Sequence, residues 1–255
     1  HRRLIFEMVK REVVGRYRGA VMGLLWSFFT PVLMLVVYTF VFSVVFKSRW
    51  GGGTGSRAEF AIVLFAGMIV FNLFSECINR APSLVIANPN YVKKVIFPLE
   101  ILPVVAFGSA LFHFFVSVLV WLLFYIVIFG MPHIDILWLP VVLLPLALLS
   151  VGISWCLASL GVFLRDVGQV IGVVTTILMF MSPIFYSIES LPEKFRRLMY
   201  LSPLTYFVEQ TRDVLFWDKG MHWGPWCKVM LLSMIIAALG FAWFQKTRKG
   251  FADVI

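Results

Sequence analysis

Six apolar runs recur in this 255-residue chain, each close to the roughly 20 residues a helix needs to cross about 30 Å of hydrocarbon. No other feature constrains the fold as strongly. A backbone inside lipid must satisfy its own hydrogen bonds, and a helix does so within one segment. Charged residues make up only 14% of the chain and gather between the runs, where a soluble domain carries about a quarter. The expectation is an all-α integral membrane protein, one domain over 1–255, with spans at roughly 24–46, 60–82, 104–129, 137–163, 168–187 and 226–245. Pro31, Pro140, Pro145 and Pro183 fall inside these spans, where they should mark kinks.

The formal net charge of +9 does not point to nucleic acid, because the basic residues flank the apolar runs instead of forming one stripe. Lys and Arg beside spans report orientation. With the N-terminus in the cytoplasm, the inner segments carry thirteen and the outer segments nine. The first span decides most, and its leading flank holds six against three in the loop that follows. Six spans then place both termini in the cytoplasm. The chain starts at His1 without a Met, so residues upstream are expected, and residues 1–20 lack the continuous apolar core of a cleavable signal. Cys77, Cys156 and Cys227 lie too far apart for metal-ligand spacing and read as small packing residues.

Four segments are not spans. Residues 1–20 fit an amphipathic helix in the interface plane, with Ile5, Phe6, Val9, Val13 and Tyr17 on one arc. The loop WGGGTGSR (50–57) lacks the Gly-Lys-Ser/Thr ending of a phosphate-binding loop and reads as a flexible outer turn. In 190–220, Ser190-Leu191-Pro192-Glu193 has the form of a capping box. It predicts a short helix to about Leu201 and a second from Ser202-Pro203 to about Trp217. The fourth segment is NPNYVKKVIFPLEILP (88–103). Pre-proline bias should stop the second span near Asn88, Tyr91–Phe97 should form about two helical turns, and Pro103 should open the third span. So long and proline-braced a connector looks built to hold a shape against something in the cytoplasm, although an ordinary interfacial loop remains the alternative.

The sequence holds no enzymatic constellation. His113 is the one histidine inside a span, near mid-depth. Glu76 and Arg80 stand at i, i+4, the spacing at which such a pair meets, near the cytoplasmic interface. Both have structural readings: a hydrogen-bonded packing residue and an ion pair. So few intramembrane charges argue against ion-coupled transport, which leaves any driving energy to another chain. Tyr38 and Phe42, one turn apart, and Phe185-Tyr186 are aromatics in polar-tinged settings; a Tyr combines an apolar face with a polar edge, which suits sugar rings, against a packing role.

RYRGAVMGLLWSFFTPVLMLVVYTFVFSVVF (16–46), NPNYVKKVIFPLEILP (88–103), FLRDVGQV (163–170) and SPIFYSIESLPEKFRRLMYLSPLTYFVEQTRDVLF (182–216) together resemble the membrane subunit of type-2 ABC exporters for polysaccharides. Wzm-type O-antigen exporters are the nearest in pattern, with teichoic-acid and capsule exporters beside them. The resemblance implies a homodimer around a channel in a bacterial inner membrane, served by two copies of a cytoplasmic ATPase. This chain would hold no cofactor, with ATP and Mg bound by that partner. The cargo would be a glycan on a lipid pyrophosphate. The resemblance makes Arg11, Arg16, Tyr91, Val92, Lys93, Lys94, Phe97 and Glu100 the coupling surface, with 88–103 supplying a coupling helix. Arg16, Arg18, Lys93 and Lys94 would meet the pyrophosphate, and Tyr38, Phe42, Phe185 and Tyr186 would line the channel. Pro192, Tyr200, Pro203, Tyr206, Glu209 and Arg212 would belong to two outer gate helices. Another cargo, a membrane enzyme acting on lipid-linked sugars, and a passive scaffold are the rival readings.

Overall fold

The computed structural model describes residues 2–45, 50, 56–93, 97–200 and 202–254. In chain order the helices are α1 (Arg2–Arg16), α2 (Trp26–Tyr38), α3 (Arg57–Arg80), α4 (Pro89–Val92), α5 (Ile101–Phe129), α6 (Leu139–Phe163), α7 (Val167–Met181), α8 (Glu193–Tyr200), α9 (Pro203–Arg212), α10 (Trp223–Thr247) and α11 (Phe251–Val254). No strand interrupts them among the described residues. Among the described residues five stretches are long and apolar enough to cross a membrane: Gly23–Phe42, Ala58–Ser83, Ile101–Phe129, Ile134–Phe163 and Trp223–Val254. The sixth expected span is the shorter α7, of 15 residues. Its end at Met181 follows from Pro183, which lacks an N–H, and Tyr186 folds back to donate to the Phe180 carbonyl (2.8 Å).

Helix α3 is the axis of the bundle. Its apolar window is 83% buried, against 11% for Gly23–Phe42 and 22% for both Ile101–Phe129 and Trp223–Val254. Ser56 starts α3 by accepting the Glu59 N–H at 3.1 Å, a side-chain cap that satisfies one of the free donors of the first turn. Phe60, Phe65, Met68, Ile69 and Phe71 then fill the main core with Trp121 of α5 and Phe207 of α9. The Trp121 indole donates to the Ile62 carbonyl at 3.0 Å.

Because lipid tails are as apolar as leucine, helices in a membrane gain most from close backbone approach at small residues. Among the described residues, three glycines make two such approaches. A Cβ on Gly152 of α6 would meet the Ala237 backbone of α10 at 2.7 Å, and one on Gly240 would run into the Gly152 carbonyl. Similarly, a Cβ on Gly161 would strike the Pro82 carbonyl. At the α1 end a second, smaller core forms from Met8, Leu84, Val85, Leu99, Leu102, Val105, Phe244 and Phe251.

Several boundaries differ from expectation. Regular helix in the second span ends at Arg80, followed by a 3-10 turn Ala81–Ser83, because Pro82 intervenes before Pro89 can act. Pro140 lies in the first turn of α6 and Pro183 lies beyond α7, so only Pro31 and Pro145 sit inside helices. Helix α4 has four residues and gives way to a bend at Lys93, while Phe97 is non-helical. The two expected turns over 91–97 are therefore absent from the described residues. Ser190 does not cap α8: it ends a 3-10 turn, Ile188–Ser190, before α8 begins at Glu193, and its hydroxyl donates backward to the Ser187 carbonyl at 2.6 Å. On α1 the buried positions are Met8 and Val13, and Phe6 is 66% exposed. Trp50 is buried instead of lying in a free loop, and 51–55 lie outside the described residues. Cys77 is buried as a packing residue, whereas Cys227 is exposed.

Candidate functional site

Helix α3 carries Asn72, Ser75, Glu76, Asn79 and Arg80, spaced three and four residues apart, so one polar stripe runs down an otherwise apolar helix. Thr30 of α2 and His113 and Ser117 of α5 face it across a cavity of about 540 Å³. Asn72 and Asn79 remain exposed inside this predominantly buried span. Thr175 of α7 donates to the Asn79 side chain at 2.9 Å. Reading the sequence for ionisable residues found Glu76, Arg80 and His113 and missed Asn72, Ser75 and Asn79. The stripe was legible all the same, as a polar face at helical spacing.

The charges at the base of the cavity link three elements. Arg16, at the end of α1, donates to Glu76. His113 Nδ1 lies 3.1 Å from both Glu76 oxygens, and its Nε2 lies 3.1 Å from the Tyr17 hydroxyl. Burial raises the Tyr17 pKa, the Arg16 charge opposes this and Glu76 adds to it, so the phenol stays protonated. Tyr17 and Glu76 thus hold the imidazole ring from both sides, one at each nitrogen. Glu76 and His113 were expected at different depths, yet they touch. The expected Glu76–Arg80 pair is long at 3.9 Å, and Arg80 instead pairs with Glu12 of α1. Two charged contacts thus tie the amphipathic helix to α3.

The segment around α4 is fastened to α1 as well. Tyr91 and Phe97 stack with centroids 4.2 Å apart, and Arg11 donates to the Tyr91 hydroxyl at 2.6 Å. Val92 and Phe97 pack on the small core. Two members of the expected coupling surface turn inward. The Glu100 carboxylate accepts from Arg248 at 3.1 Å and its carbonyl accepts from Trp155 at 2.9 Å, so Glu100 braces α5, α6 and the chain after α10. Arg16, although half exposed, is engaged by Glu76. Arg18 and Lys93 are exposed, and Lys94 lies outside the described residues.

At the opposite end, Phe42 and Phe185 stack on each other at 5.2 Å, with Phe60 and Phe180 tilted against them. Tyr38 packs partly buried on the main core. These four expected channel residues are brought together in part, as a Phe42–Phe185 pair with Tyr186 anchored beside it. Helices α8 and α9 form close to their expected positions, the second extended by a π turn Asp213–Trp217. Pro192 is exposed at the α8 start, Pro203 half-buried at the α9 start, and Tyr206 half-buried.

Arg212, at the end of α9, is buried. It is 3% exposed and donates to the carbonyls of Val63, Pro183 and Ile184 at 3.0, 2.5 and 2.7 Å, with Trp50 4.4 Å away across its ring face. Burial pulls its pKa down to about 9, while Glu209 and Asp213 oppose the shift, so it is charged at neutral pH. A buried cation of this kind persists when backbone oxygens replace its water. Arg212 is therefore the peg that fixes α9 to α3 and to the turn after α7. Glu209, one turn earlier, is pushed up to about 7 by burial, with Arg212 and Lys219 resisting and Asp213 and Glu189 adding to the shift.

Comparison with known proteins agrees with this architecture. The family model described as ABC-2 type transporter matches residues 3–216. The chain is 24% identical over 254 residues to an O-antigen export system permease protein RfbA of Klebsiella pneumoniae, covering 99% of this chain and 95% of that one. It is 23% identical to the protein of the same name from Myxococcus xanthus, covering 100% and 96%. It is 22% identical to the capsule polysaccharide export inner-membrane protein CtrC of Neisseria meningitidis, covering 98% and 92%. With a family match across most of its length and helices to cross a membrane several times, the chain belongs to the ABC-2 type transporter family.

Proposed function

We propose that this chain is the membrane subunit of an ATP-driven exporter that moves a lipid-linked polysaccharide, of O-antigen or capsule type, outward across a bacterial inner membrane. Two copies would enclose the path and two copies of a separate ATPase would bind on the cytoplasmic side, where both termini lie. The observation that carries the reading is the fastening of the α4 segment to α1. Tyr91 is held by Phe97 and Arg11, and α1 is held in turn by Glu76 and His113. A push on the α4 segment would therefore pass through α1 to the polar wall of α3. Arg18 and Lys93, being exposed, remain the described residues best placed to meet an ATPase or a pyrophosphate. The full-length similarity to polysaccharide export permeases supports the cargo class, and Asn72, Ser75 and Asn79 supply hydrogen-bonding groups suited to hydroxyl-rich cargo.

The test is reconstitution in lipid with a candidate ATPase, reading ATP turnover with and without lipid-linked glycan. Co-purification and turnover stimulated by glycan are expected. Chemical turnover of lipid-linked sugar by this chain alone would instead favour an enzyme, and absence of any effect on ATP turnover would favour a scaffold.

A further inference from the structure

The end of the protein opposite α1 holds two cavities with no part in the coupling path. One, of about 340 Å³, lies among Trp50, the Ser187–Glu189 turn, Trp217 and the end of α9. The other, of about 450 Å³, lies towards the start of α10. Tyr200, Glu209 and Asp213 line both and form the ridge between them. Tyr200 is 60% exposed, which leaves its ring available. Glu209 and Asp213 are one turn apart and so share a face. Among the described residues no group donates a hydrogen bond to Glu209, and the buried Tyr206 hydroxyl beside the second cavity has no partner.

We propose that this ridge is a saccharide site, in which one neutral pyranose unit stacks on Tyr200 and donates hydroxyl protons to Glu209 and Asp213. The next unit of the same glycan crosses the ridge into the second cavity, beside Tyr206. The chemistry is the pairing of an aromatic face with carboxylate acceptors, which matches the apolar C–H face and hydroxyl edge of a sugar ring. Charge decides the sugar class. Asp213 is paired with Lys219 at 3.5 Å and His222 at 3.2 Å and Arg212 with three carbonyls, which leaves Glu189 and Glu209 as the carboxyls of the first cavity without a paired cation among the described residues. A uronic or sialic acid would meet carboxylates there, and Lys228, the further cation, stands only in the second cavity. The elevated Glu209 pKa, at about 7, lets that carboxyl donate as well as accept near neutrality. As a step in export the proposal rests on the polysaccharide reading above; as a binding site it is tested independently.

The experiment uses the full chain in lipid nanodiscs and reads tryptophan fluorescence and saturation-transfer NMR. The probes are neutral hexasaccharides (maltohexaose, mannohexaose and a galactan fragment) and an oligogalacturonate of equal length. At least one neutral probe should bind, with the acidic one at least about tenfold weaker, equivalent to roughly 1.4 kcal/mol. Tyr200→Ala and Glu209→Gln should each weaken neutral binding by about tenfold or more, and Tyr200→Phe should retain it. Binding that prefers the acidic probe, is indifferent to both weakening variants, or is absent for every neutral probe would overturn the site. Loss of glycan-stimulated ATP turnover with sugar binding intact would instead count against the export reading and leave the site standing.

Discussion

His113 on α5 and Glu76 on α3 meet through Nδ1, which lies 3.1 Å from each carboxylate oxygen. Arg16 reaches the same carboxylate from α1, so one acidic side chain holds three elements. Replacing it by Ala leaves Arg16 and His113 without their shared acceptor in a partly closed cavity, where an orphaned polar group costs about 1–3 kcal/mol. Glu76→Ala should therefore lower the thermal midpoint in detergent and expose α1 to protease. Glu76→Gln, which keeps an acceptor, should do both less. Equal protease resistance in all three proteins would contradict this latch.

Gly108 gives α1 its seat on α5. A Cβ there would lie 2.6 Å from a Val9 methyl, so Gly108→Ala must lift or rotate the amphipathic helix. Overpacking of this kind costs about 1–3 kcal/mol, and here a side-chain methyl can yield. Export should therefore suffer more than folding: near-normal yield with reduced glycan-stimulated ATP turnover, partly restored by Val9→Ala in the same chain.

Gly240 offers no such relief, because its neighbour is the Gly152 carbonyl. Gly240→Leu should separate α6 from α10 and reduce the yield of monodisperse protein on size exclusion, by more than Gly168→Leu, where no atom stands within 4 Å of the added carbon.

The Glu209 carboxyl titrates near 7 when folded, against its usual 4.5. Its neutral form is favoured in the folded state, so its share of stability is full below about 4.5 and declines as pH rises towards 7, where the folded protein has given up the extra proton. The facing charges are Arg212, Asp213, Glu189 and Lys219. The thermal midpoint should fall more steeply over that window in the parent than in Glu209→Gln. Identical slopes would exclude Glu209 as the source.

A double neutralisation, Lys93→Gln with Lys94→Gln, should reduce export while leaving assembly intact, as expected of charges facing a partner. Wild-type export at normal expression would remove Lys93 from the coupling surface.

The spans were legible because twenty apolar residues in lipid leave few alternatives, and α8 and α9 because Pro192 and Pro203 punctuate them. What escaped depended on tertiary partners. Ser190 has the right spacing for a cap, but the Ser187 carbonyl is nearer. Glu76 and Arg80 do meet, at 3.9 Å, but their nearer partners, Arg16 and Glu12, come from α1 and were not legible. The burial of Arg212 escaped because sequence does not reveal three backbone oxygens contributed by residues up to 149 positions away. Trp50, at the edge of a glycine-rich loop, gave no sign that its ring would cover that cation.

The contact between Gly152 and Gly240 also bears on biosynthesis. The groove on α6 is complete some sixty residues before synthesis reaches α10. Until then, small residues shaped for another backbone face lipid, and the nascent chain must keep that surface vacant. A chain that stops before α10 would retain most of the described helices and leave that groove uncovered.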